Sequence, residues 1–262
     1  MNKERIGTRA MTLGFAAAFI IIWWWLSQIY PTYILPSPGT VLARGIQYTR
    51  GGLLFKHFLI TAGESLGGFF LGSLVALPLG YLMAKVPVLE QALAPFISAS
   101  QAIPIVALAP LLIIWFGFGV TSKVLVAALV AFFPVLTNLI VGLHRTEPRA
   151  YELMSILGAS RWQVFTLLEI PSALPVMFAG FRVGLALSII GAVVGEFASS
   201  DRGLGYLVNM SAGMMDTPLL FVALFSLTVM GISFHLALLW VEKVFIPWAG
   251  SKNSLSVENN NL

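Results

Sequence analysis

Two carboxylates, Glu64 and Glu196, and one guanidinium, Arg182, stand inside runs of otherwise apolar residues. A charge at bilayer depth is costly, so each of the three marks a functional site by default. Glu196 lies close in sequence to Arg202, and pairing of the two would make an outer gate. A carboxylate reaching the headgroup region fits the same position, and Glu64 admits both readings. Arg182 lies about two helical turns beyond Pro175, within snorkelling reach of the inner headgroups. Ser98, Gln101, Pro104 and Asn138 place polar atoms or freed carbonyls inside apolar stretches. They suit a solute path and interhelical hydrogen bonding equally well. Bond-making chemistry has no support. There is no cysteine, and His57, His144 and His235 are too scattered for a metal site. The run from Gly117 to Lys123 lacks the spacing of a phosphate-binding loop. Neither H-E-x-x-H nor G-x-S-x-G occurs, so the chain is read as a non-enzyme with no cofactor of its own.

The elements that hold these residues are apolar. The 262 residues are 58% hydrophobic and 10% charged, which excludes an ordinary soluble domain and calls for several membrane spans. No basic, aromatic-interleaved groove pattern supports nucleic-acid binding. Residues 1–10 carry Lys3, Arg5 and Arg9 ahead of an apolar run from about Met11 to Ile29. That run is long, holds Trp23, Trp24 and Trp25 near its far end and lacks a small-residue cleavage site, so it is expected to be a retained first span. Further spans are expected at 58–84, 91–115, 124–143, 176–197 and 218–241. A short outer helix is expected near 40–48, and another after the Asp201–Gly205 stretch, running through Gly213. The tail, 247–262, is expected to be cytoplasmic and disordered. Six spans within residues 11–246, with both termini inside, put Lys85, Arg145, Arg149 and Arg161 on the cytoplasmic side with the terminal basic residues. Arg44, Arg50, Lys56, Lys123 and Arg202 fall outside, and the balance follows the positive-inside rule. Gly68, Gly72, Ala76 and Gly80 recur every fourth position, as do Gly180, Gly184, Ser188 and Ala192. Such rows let helices approach closely.

The longest polar island between spans is residues 145–175. Glu147 and Pro148 suit the start of a helix, Gly158 its end, and Ser160 with Gln163 forms a capping-box pattern for a second short helix. Pro171 and Pro175 are expected to stop that helix before the next span. So ordered a polar element suits a partner.

Glu152, Gly158, Leu168, Ile170 and Pro171 fall on the spacing Glu-Ala-Ala-x3-Gly-x9-Ile-x-Leu-Pro. That spacing resembles the EAA loop of bacterial ABC importer permeases, with Leu153 and Met154 at the two alanine positions and Leu168 and Ile170 at the later apolar ones. Leu35-Pro36-Ser37-Pro38 and the 104–117 segment resemble the nitrate, sulfonate and taurine branch of those permeases. The resemblance implies an all-α membrane protein with six transmembrane helices, similar to type I ABC importer permeases. In it Glu152, Leu157, Gly158, Ala159, Ser160 and Pro171 would couple to the ATPase. It implies a bacterial inner-membrane location and a second permease copy, with a homodimer expected. It implies two ATPase subunits, which bind ATP and Mg, and an extracytoplasmic binding protein. The solute would be nitrate, a sulfonate, taurine, or a pyrimidine or riboflavin-like vitamin precursor. The alternative is an ATP-independent secondary carrier or channel, for which buried paired charges or inverted repeats near the midplane would be required.

Overall fold

A computed structural model describes residues 2–101 and 104–247. The described residues are helical throughout apart from short turns. In order the helices are α1 (Asn2–Ile29), α2 (Pro38–Arg50), α3 (Leu53–Lys85), α4 (Pro87–Gln101), α5 (Ile105–Phe116), α6 (Val120–His144) and α7 (Pro148–Ile156). They continue with α8 (Arg161–Val164), α9 (Ile170–Ser199), α10 (Leu204–Gly213) and α11 (Thr217–Phe245). Among the described residues four stretches are long and apolar enough to cross a membrane: α3, α6, Arg161–Ser199 and α11. The apolar parts of α1 and α5 are shorter. The span expected over 91–115, with prolines interrupting it at 95, 104 and 110, is described as α4 and α5; Pro104 is the extended residue ahead of α5, whereas Pro95 and Pro110 lie inside helices. No break separates residues 2–10 from the apolar part of α1. The tail from residue 248 onward lies outside the described residues.

Packing divides the chain into two units. One holds residues up to Ile60 with Arg202–Thr228, and the other holds Thr61–Asp201 with residues from Val229 onward. In the first unit, Val41 of α2 is buried with Leu219 and Val222 of α11. Trp23 of α1 stacks on Phe221 at 5.6 Å and donates its indole N–H to the Pro36 carbonyl at 3.0 Å. Asp216 accepts the Leu219 amide at the start of α11 and pairs with Arg44 of α2, holding that guanidinium above its ordinary pKa.

The second unit is built on α6. Both small-residue rows lean on it. A side chain added at Gly68 of α3 would come within 2.9 Å of the Ala127 backbone, and one at Gly72 within 2.5 Å of the Ala128 carbonyl. On the other side, one at Gly180 of α9 would meet Asn138 at 2.6 Å, and one at Gly184 the Ala131 carbonyl at 3.2 Å. Gly80 faces Leu136 and Leu139. Close backbone approach of this kind replaces the hydrophobic drive that lipid removes. Phe69, Ala76, Met83, Ala131, Val135, Leu136 and Leu185 fill the seam. Contacts at the two ends set direction: α3 and α6 run parallel, and α9 runs against both.

Candidate functional site

The polar island folds as two short helices joined by a tight turn. Pro148 occupies the first turn of α7, where a missing amide costs nothing, and Glu147 is the N-cap. At the other end Gly158 has φ +69°. Its amide donates to Ser155 and that of Ala159 to Met154, both at 3.0 Å, which is the Schellman pattern. The capping box is present: Ser160 Oγ accepts the Gln163 amide, and Gln163 Oε1 accepts the Ser160 amide at 2.7 Å. The prolines do not stop the second helix. Residues Phe165–Glu169 widen into one π-helical turn, in which the Ile170 amide reaches the Phe165 carbonyl, and α9 follows without interruption. A widened turn relieves the clash between a proline ring and the carbonyl four residues earlier, so Pro171 is absorbed into the first turn of α9. Pro175 costs a further single hydrogen bond inside it.

No residue of α7 is buried. Glu152 is exposed, and beside it large apolar side chains face outward, with Ile156 82% and Trp162 71% accessible and Leu153 and Leu157 also exposed. Apolar side chains held outward on a capped, polar-linked helix pair suit contact with a protein partner or with the membrane surface. Its anchor to the spans is polar. Lys85, the last residue of α3, donates to the Tyr151 hydroxyl of α7 at 3.2 Å and pairs with Glu169 in the π turn. Tyr81 donates to the second Glu169 oxygen at 3.0 Å.

At the opposite end of the second unit lies a buried polar cluster. Glu64 of α3 pairs with Lys123 of α6, both at least 94% buried as side chains. The Thr61 hydroxyl donates to Glu196 of α9 at 2.6 Å, and the Lys123 ammonium donates to the Ser200 hydroxyl at 3.1 Å. Glu196 is 1% exposed.

A family model, binding-protein-dependent transport system inner membrane component, matches residues 68–249. The chain is 45% identical over 253 residues to the riboflavin transport system permease protein RibX of Chloroflexus aurantiacus, covering 95% of this chain and 94% of that one. It is 36% identical over 239 residues to the formylaminopyrimidine transport permease protein ThiX of Halalkalibacterium halodurans, covering 90% and 94%. To the taurine transport system permease protein TauC of Escherichia coli it is 28% identical over 247 residues, covering 92% and 90%. A crystal structure of an amino acid ABC transporter with histidines shares the fold, with TM-score 0.57, 21% identity and coverage of 76% and 95%. The chain belongs to this permease family. It is a permease subunit of an ABC importer, and membership implies an ATPase, a substrate-binding protein and a membrane location.

In this permease the structure brings Glu64 and Glu196 together at one end of α3 and α9, and it adds Lys123, which the sequence places only on the outer side. A signal was available: two carboxylates in apolar helices need a cation at matching depth, and Lys123 is one turn inside α6. Arg182, read from sequence as reaching the headgroups, pairs with Glu242 of α11. Asn138 donates to the Pro134 carbonyl at 2.8 Å and packs under Gly180. Ser98 and Pro104 are exposed, the side chain of Gln101 lies outside the described ones, and Arg202 is exposed just ahead of α10.

Proposed function

We propose that this permease imports a heterocyclic vitamin or vitamin precursor of the riboflavin or formylaminopyrimidine class, delivered by an extracytoplasmic binding protein. The 45% identity to a riboflavin permease over nearly the full length, against 28% to a taurine permease, carries the reading. Two copies form the path, each with six spans. Four are the long helices, the fifth is the apolar part of α1, and the sixth is the broken pair α4 and α5, whose interruption is tolerable where it lines a watery path. Residues 145–175 are the cytoplasmic coupling loop, and the exposed apolar face around Ile156 and Trp162 fills the groove of the ATPase. The Glu64, Lys123 and Glu196 cluster, at the far end of the same helices, fastens the outer side of the path. Substrate selection rests with the binding protein. Purified binding protein from the same system should bind riboflavin or a formylaminopyrimidine, followed by quenching of protein fluorescence, and should leave taurine unbound. Tight taurine binding with no response to either heterocycle overturns the reading.

A further inference from the structure

Lys85 ties helix α7 to the end of α3 and to the π turn. Lys85 Nζ reaches the Tyr151 hydroxyl at 3.2 Å and lies 5.0 Å from the Tyr151 ring centroid and 5.8 Å from that of Tyr81. The same ammonium pairs with Glu169, whose side chain is only 5% exposed. Both Glu169 oxygens are engaged, one by Lys85 and one by Tyr81. The Lys85 side chain is 33% exposed, so the ion pair is screened on the ammonium side and sheltered on the carboxylate side. Glu169 is also the last residue of the π turn that joins the loop to α9. Such a turn holds one residue more than an α-helical turn and recurs at functional sites. Beside it is a cavity of about 400 Å³ lined by Tyr81, Leu139, Leu143, Phe165, Ile170 and Ala173 among others, which leaves the Phe165 ring room to shift.

We propose that Lys85 is the positioning residue that passes displacement of α7 into the spans, gripping Tyr151 on one side and the π turn through Glu169 on the other. The proposal rests on the reading of α7 as the ATPase-docking helix. A push on α7 moves Tyr151, which carries Lys85 and with it the end of α3. The same ammonium draws Glu169, so α9 receives the displacement at its π turn. Without Lys85, α7 and α8 would still present Ile156 and Trp162 to the ATPase, but movement of α7 would lose this polar link to the spans.

The test uses the whole complex, with ATPase and with binding protein loaded with riboflavin, reconstituted in vesicles. Lys85→Met should retain the ATPase and its basal hydrolysis, and should lower solute transported per ATP by about tenfold or more, within the roughly 5–150-fold range of coupling in proteins. Lys85→Arg should recover most of the ratio. Because Lys85→Met strands a buried carboxylate, Lys85→Met with Glu169→Gln is the deciding variant should the single one fail to assemble. A normal transport-to-ATP ratio in that assembled double variant overturns the proposal, as does an equal fall of assembly, hydrolysis and transport together in both variants. Failure of the docking reading is seen separately: ATPase retention unaffected by Ile156→Asp with Trp162→Asp would remove it, whatever Lys85 does.

Discussion

Lys123 illustrates how a single side chain can change role between sequence and structure. It follows a Gly-Phe-Gly turn and looks like a surface charge, yet it is buried against Glu64 and bonded to Ser200. What was legible was the demand: Glu64 and Glu196 are ions in apolar helices and need a partner. Its identity was not, because it depends on how deep α6 sits beside α3. Removing one member of a buried pair leaves an uncompensated charge and costs about 3–5 kcal/mol, whereas removing both is often nearly neutral. Lys123→Met is therefore expected to lower thermal stability of the detergent-solubilised permease sharply, and Lys123→Met with Glu64→Gln to restore much of it. Equal melting of the single variant and the unaltered protein would mean that the pair is not formed in the membrane.

At the scale of elements, the small-residue rows were readable because four-residue spacing puts Gly68, Gly72 and Gly80 on one helix face without any knowledge of the partner. That both rows meet the same helix was not readable, since nothing in α6 advertises it. The prolines misled for a related reason. Each removes one hydrogen bond, and the chain absorbed Pro171 by widening a turn rather than ending the helix. The glycine contacts make a matched pair of variants. Gly68→Ala should cost about 1–3 kcal/mol through overpacking against Ala127. Gly63→Ala, in the same helix with nothing within 4 Å of the added carbon, should be neutral or slightly stabilising. Yield of intact complex in mild detergent reads the difference, and equal yields would place the Gly68 face against lipid.

For the whole molecule the quantity to fix is orientation, which the helical backbone does not carry and the side chains do. Two independent features agree. Lys85, Arg145, Arg149 and Arg161 cluster where α3, α6 and the loop meet, as inner segments require. The exposed apolar face of α7 and α8 stands at that same end, where an intracellular ATPase would bind it. The first unit carries Arg44 and Arg50 on α2, which weakens the charge asymmetry but leaves its direction. The chain has no cysteine, so single cysteines can be placed without removing any. Ser160 and Thr49 are both exposed in the permease chain, so neither is hidden by its own fold. Ser160→Cys should react with an impermeant maleimide only after cells are permeabilised. Thr49→Cys should react in intact cells. Labelling of position 160 in intact cells would invert the topology, place the loop on the wrong side for any ATPase, and remove the coupling role of α7 and Lys85 with it.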